Sequence, residues 1–216
     1  MRMNSIPEFP GTHGYHDLEL QIAGRDVRLS VYVPANGAQL QPALLALHYG
    51  GPPHGYYGRP LLEQLVVPAA NGVAGIVVAP VVLDGDWTTP ASTEVVVALA
   101  QALRARGDGR CALLGYSLGA IGCWHLMAEA PECFDAVIPM AGRAPTTPPA
   151  VRMPVHVLHS SGDELFPCAA LVETLQGLAA KGGPLSWEIL PNLSHYAVGA
   201  FQAPLANALR CCLPVL

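Results

Sequence analysis

Cys111-Ala112-Leu113-Leu114-Gly115-Tyr116-Ser117-Leu118-Gly119 is an apolar run that ends in a Gly-Tyr-Ser-Leu-Gly turn. It passes straight into a segment, 118–130, whose apolar residues recur at three- and four-residue spacing. The run has the length and bounds of a strand buried on both faces, and the segment after it has the period of a helix packed along one side. A strand, a tight turn with a serine at its apex and a helix form the context of a nucleophile elbow. The two glycines let strand and helix approach closely around a strained turn that exposes the serine hydroxyl. The five-residue pattern alone is common; its placement separates Ser117 from an ordinary strand-to-helix loop.

The same alternation continues on either side. Residues 18–22 and 27–33 show short alternation around Gly24, which predicts an antiparallel hairpin. Residues 43–47, 75–79, 110–114, 136–139, 154–158 and 185–190 are short apolar runs bounded by Gly, Pro or Asn, suited to strands buried on both faces. Between them, 60–70, 92–106, 118–130, 168–180 and 199–211 carry helical periodicity. Strands alternating with helices predict an α/β fold with a mainly parallel sheet and helices on both faces. The Pro-rich piece 144–149 reads as a surface loop. At 216 residues one domain spanning 1–216 is expected, with one site.

Composition narrows the partner. The net charge is −5 and Lys and Arg are not clustered, so the concentrated positive field that nucleic acid or an anionic membrane requires is missing. A small molecule is the expected partner. The first 17 residues lack the apolar core of a secretory signal, and the most apolar window, 72–83, is too short to span a bilayer. The expectation is a soluble, cytoplasmic protein. Six unevenly spread cysteines, without a Cys-x-x-Cys pair, read as reduced and mostly buried thiols and not as a zinc site.

A serine hydroxyl is a poor nucleophile at neutral pH and needs a base within hydrogen-bond reach, held in turn by an acid. On an elbow of this kind the acid and then the histidine follow the serine in chain order. The predicted strand 154–158 runs into His159-Ser160-Ser161-Gly162-Asp163-Glu164-Leu165-Phe166-Pro167, which delivers Asp163 in a loop at a strand end. Glu164 is the rival acid and Asp135, which precedes a strand, a weaker one. The plain alternative for Asp163 is capping of the helix that follows.

Order also selects the base. His13, His16, His48 and His54 precede the serine, His125 lies inside the helix after it, and His156 and His159 belong to the strand that carries the acid. His195 remains, in Pro191-Asn192-Leu193-Ser194-His195-Tyr196, between the last strand and the last helix. Negative charge developing on a substrate oxygen needs backbone donors. One is expected at the Leu118 amide and the other in His48-Tyr49-Gly50-Gly51-Pro52-Pro53, where Gly50, Tyr49 and Gly51 all qualify. No metal or organic cofactor is required by this chemistry.

These ordered motifs around His48, Ser117, Asp163 and His195 resemble the α/β-hydrolase superfamily, in particular its small carboxylesterase, acyl-protein thioesterase and dienelactone hydrolase branch. The resemblance covers nearly the whole chain. Residues 159–167 are similar to that branch's His-Gly-x-x-Asp-x-x-Val-Pro acid loop, with Ser160 and Phe166 as departures. Ser117 departs from dienelactone hydrolases, whose nucleophile is cysteine, and Tyr49 stands where related esterases carry glycine. The resemblance implies an α/β-hydrolase fold without a lid domain and a Ser117-His195-Asp163 triad. It also implies an oxyanion hole in which alignment favours Gly50, and hydrolysis of short or medium esters or thioesters.

Tyr56, Tyr57, Trp87, Phe166 and Tyr196 are candidates to line an apolar pocket. Two other readings remain open. Gly50-Gly51-Pro52 also resembles the oxyanion loop of prolyl-oligopeptidase-like serine peptidases, whose large extra domain is missing here. A non-catalytic member of the fold that binds a ligand or partner is the other.

Overall fold

The computed structural model describes residues 7–35, 41–52 and 54–214. Pro53 of the predicted oxyanion loop lies outside the described residues. Eight strands form one sheet in the order β1-β2-β4-β3-β5-β6-β7-β8. β1 (Gly14–Ile22) and β2 (Arg25–Val33) make the antiparallel hairpin, and β2 runs antiparallel to β4 (Val77–Pro80). From β4 outward, β3 (Ala43–Leu47), β5 (Cys111–Tyr116), β6 (Ala136–Met140), β7 (Val155–Ser160) and β8 (Leu185–Leu190) are parallel.

The apolar runs are explained by what covers each face. Along β3, Leu45 and Leu47 join the core on one side while Leu44 and Ala46 join that on the other. Successive side chains of a strand point to opposite faces, so a strand covered twice must be apolar at every position. The first side is closed by α3 (Pro90–Arg106), α4 (Leu118–Glu129) and α5 (Cys168–Ala179). The second is closed by α1 (Arg59–Leu61), α2 (Val67–Ala70) and α6 (Gln202–Cys212). One expectation fails here: β8 is the edge strand, half-buried at alternate positions, and is not covered on both faces.

Between α1 and α2 the predicted helix 60–70 widens into a π turn over Leu62–Val66, where the Val67 amide donates to the Leu62 carbonyl. Pro68 supplies the cause, because it has no N–H for the Gln64 carbonyl and its ring would clash there. The freed Gln64 carbonyl accepts instead from the Gln202 side-chain amide at 2.7 Å, which ties α6 to this helix. α3 begins two residues earlier than the periodicity predicts. Pro90 occupies its first turn, and the Thr89 hydroxyl accepts from the Ser92 amide at 3.2 Å. All six cysteines are unpaired, but only Cys111, Cys123 and Cys133 are buried and Cys211 is exposed, so the expected burial holds for half of them. No described helix is long and apolar enough to cross a membrane.

Candidate active site

β5 and α4 meet at Ser117, which has φ 56° and ψ −113°, a backbone conformation that side chains other than glycine's seldom adopt. Packing enforces it. A Cβ on Gly115 would lie 2.1 Å from the Gly119 carbonyl oxygen, and one on Gly119 would lie 2.0 Å from that of Leu47. β5 and α4 are therefore pressed together at the turn, and the start of α4 is pressed against the end of β3. The Ser117 amide donates to the Met140 carbonyl at 2.9 Å, fastening the turn to the end of β6.

The loops that follow β7 and β8 converge on this turn. His195 Nε2 lies 2.9 Å from Ser117 Oγ, and its Nδ1 lies 2.8 Å from Asp163 Oδ2. A carboxylate accepts only, so Nδ1 carries the proton and Nε2 is left as the acceptor for the serine hydroxyl. All three residues are at least nine-tenths buried. Asp163 also performs the plain turn-capping role: its Oδ1 accepts from the amides of Leu165 and Phe166 at 2.9 and 2.8 Å. One oxygen shapes the loop and the other meets the histidine.

Glu164, the rival acid, points to a different part of His195. Its Oε2 accepts from the His195 amide at 2.7 Å and its Oε1 from the Ser194 hydroxyl at 2.6 Å. Those bonds, the Ser194 hydroxyl first, hold its carboxyl below the ordinary range. Asp135 is remote in role: it accepts from the Cys111 amide at 2.8 Å and pairs with Arg104 where β5 begins.

Three further residues fix the histidine and acid loops, and sequence reading did not single them out for that task. Tyr116 donates its hydroxyl to the His195 carbonyl at 2.8 Å; burial first, then the charges of Asp163 and Glu164, raise its pKa and keep it a donor. The Ser160 hydroxyl donates to the Leu193 carbonyl at 2.7 Å and accepts from the amides of Leu193 and Gly162 at 2.8 and 3.1 Å. A glycine, usual at this position in the branch resembled, has no atom for any of these bonds. His159 donates from Nε2 to the Phe166 carbonyl at 2.9 Å, and its buried Nδ1 has no partner among the described residues. The departures at 160 and 166 were the available signal, since a polar or bulky residue replacing a small one changes the local contacts.

The predicted oxyanion loop rests on His48. Its Nδ1 donates to the Tyr49 carbonyl at 2.7 Å, its Nε2 accepts from the Val82 amide at 3.1 Å, and its own carbonyl accepts from Trp87 Nε1 at 3.0 Å. Burial lowers its pKa to about 4, so it is a neutral brace at pH 7. Gly50 lies against the elbow: a Cβ there would sit 3.7 Å from Leu118 Cβ, in ordinary contact. Leu118 opens α4, where its amide has no carbonyl within the helix to bond. Gly51, with φ 138°, leaves room for the Tyr57 hydroxyl, which a Cβ would meet at 2.2 Å.

Of the aromatic candidates, Trp87 is 1% exposed beneath His48 and belongs to the core. Tyr57 packs edge-on to His48 and Tyr49, while Phe166 and Tyr196 flank the His195 ring with centroids 5.5 Å away.

No family model matches the chain, and no curated protein matches it in sequence. Solved structures do resemble it. An α/β serine hydrolase without a lid from Xanthomonas campestris superposes with a TM-score of 0.72 at 21% identity, over 97% of this chain and 99% of that one. A putative dienelactone hydrolase from Klebsiella pneumoniae gives 0.73 at 14% identity, over 92% and 97%. A thermophilic esterase from Thermogutta terrifontis, solved with propionate bound, gives 0.70 at 15% identity, over 97% of each chain. With its eight-stranded, mainly parallel sheet, its antiparallel N-terminal hairpin and helices on both faces, the chain has the α/β-hydrolase fold in the form without a lid.

Proposed function

We propose that the protein is a serine hydrolase that cleaves short- to medium-chain carboxylic esters or thioesters through an acyl-enzyme. The observation that carries this reading is the unbroken hydrogen-bond chain Ser117 Oγ, His195 Nε2, His195 Nδ1, Asp163 Oδ2 at a strained turn. His195 takes the Ser117 proton on Nε2 as Oγ attacks the carbonyl carbon. The imidazolium so formed is stabilised by Asp163 and returns the proton to the departing alcohol or thiol. Water then attacks the acyl-serine by the same route and releases the acid. The amides of Leu118 and Gly50 hold the oxyanion; the Tyr49 amide is the alternative second donor.

Apolar surface beside these residues supports an apolar substrate portion. The two large hydrophobic side chains most exposed among the described residues, Tyr196 at 72% and Leu165 at 50%, both adjoin the Asp163 and His195 loops. Large exposed apolar groups gathered at one place mark contact with something else.

The test is labelling with a fluorophosphonate, together with rates on p-nitrophenyl esters of increasing chain length and on peptide amides. Labelling lost in Ser117→Ala, with ester rates far above amide rates, is expected. A folded wild-type protein that does not label, or a Ser117→Ala variant that labels equally, overturns the proposal; faster amide cleavage turns it towards a peptidase.

A further inference from the structure

A cleft of about 510 Å³ lies between α4 and the loop that follows β6, and nothing in the proposed reaction uses it. Its origin is legible. A parallel crossover commonly carries a helix, but the segment between β6 and β7 holds Pro145, Pro148 and Pro149 and forms none. The face of α4 presenting Ile121, His125 and Ala128 is therefore met by this loop instead of a helix, with Thr88 also in the lining, and the space between them stays open.

The lining is mainly apolar, with Ile121, Trp124 and the prolines, and its charge is one-sided. Among the lining residues are one arginine, Arg143, and one histidine, His125, and none is acidic. That stands out in a chain with 16 Asp and Glu against 11 Lys and Arg. Arg143 is exposed and makes no salt bridge or side-chain hydrogen bond among the described residues, whereas five other arginines are paired with carboxylates or held by carbonyls. His125 is anchored through Nε2 to the Thr93 hydroxyl at 3.0 Å, and its Nδ1 has no hydrogen-bond partner among the described residues. The volume falls in the range of small-molecule sites, roughly 300–1,000 Å³.

We propose that this cleft binds a small amphipathic carboxylate. The apolar body lies along Ile121 and Trp124, and the carboxylate meets the Arg143 guanidinium, whose planar fork matches two carboxylate oxygens. The cleft takes no part in the chemistry at Ser117, although Gly142, the residue before Arg143, packs against that turn: a Cβ there would lie 2.8 Å from the Ser117 carbonyl oxygen.

The test uses 3-phenylpropionate and its neutral analogue 3-phenylpropanamide, titrated into the protein by calorimetry and by amide-resolved NMR. Saturable binding of the acid is expected, with shifts at His125, Ala128 and Ala144 and affinity about tenfold above that of the amide. Arg143→Ala removes that preference, and Ile121→Arg, which fills the cleft, abolishes binding of both. Prior reaction of the protein with fluorophosphonate leaves the acid's affinity unchanged. Equal affinity for acid and amide, an unchanged preference in Arg143→Ala, shifts confined to the surroundings of Ser117, or no saturable binding overturns the proposal.

Discussion

Glu164 grips the backbone of His195: one carboxylate oxygen accepts from the His195 amide at 2.7 Å and the other from the hydroxyl of the preceding Ser194 at 2.6 Å. Adjacent acids thus divide the histidine between them, Asp163 taking the ring and Glu164 the main chain. The hydrogen bonds depress the Glu164 pKa in the folded protein. A depressed carboxyl contributes stability that is present above its unfolded pKa and is lost as pH falls through the folded one. The clamp therefore holds at neutral pH and releases only in acid, below the ordinary Glu range.

Glu164→Ala should leave the protein folded and lower kcat on an ester roughly tenfold, the scale expected of a sub-ångström misplacement of a reacting group, with little change in KM. Hydrogen exchange at the His195 amide should quicken in the variant. An unchanged kcat together with unchanged exchange would show that the clamp has no part in holding the loop.

Asp163→Asn separates the two roles of one side chain. The asparagine oxygen still accepts from the Leu165 and Phe166 amides, so the loop keeps its shape, but the side-chain N–H₂ now faces His195 Nδ1. That face must become an acceptor, which moves the ring proton to Nε2 and leaves the serine without a base. A fall in kcat of about 10⁴-fold with a nearly unchanged melting temperature is expected, as for the same change in a Ser-His-Asp protease. Steady-state kinetics beside a thermal melt measures both.

Ser160→Ala removes one hydroxyl and three hydrogen bonds, two of them between the segments after β7 and β8 and one within the first. Ser160 is 1% exposed, so water does not freely replace the hydroxyl. A loss of about 2–4 kcal/mol in urea unfolding is expected, from buried groups worth roughly 1–3 kcal/mol each when left unpaired. Ser160→Thr, which retains the hydroxyl, should recover part of it.

His48 predicts a pH dependence of stability. Its folded pKa, about 4, lies below the ordinary value of 6.5. Between these two values the unfolded chain binds the extra proton and the native one does not, so stability rises with pH through that window and levels off above it. Acidification from 6.5 to 4 should remove about 3 kcal/mol through this residue, at 1.36 kcal/mol per pH unit. Urea midpoints at pH 7 and pH 5 should differ less in His48→Gln than in wild type. An equal difference would assign the acid sensitivity to other groups.

Much of this was present in the chain before it was folded in space. The serine's surroundings were legible because a backbone carbonyl stands where a Cβ would go at both glycines, that of Gly119 within the elbow, 2.1 Å from Gly115, and that of Leu47 on β3, 2.0 Å from Gly119. The α/β alternation was legible because double coverage of strands demands unbroken apolar runs, as in β3 and β5. His195 was found by order alone, since no other histidine follows the acid loop.

Tertiary structure decided what local pattern does not encode. Asp163 and Glu164 are neighbours with the same chemistry, and only the path of the turn aims one at the ring and the other at the main chain. β8 reads as one more apolar run, but Ser186 and Glu188 alternate with Leu185, Trp187 and Ile189 and are its exposed positions; that it is the edge follows from strand order, which depends on crossovers between distant segments. Gly50 acquires its place beside Leu118 only when β3 and β5 pair, because the 67 residues between those positions in sequence say nothing of their distance in space. The sequence by itself determined which residue types come in which order around Ser117; the long-range packing of two loops decided which atoms meet.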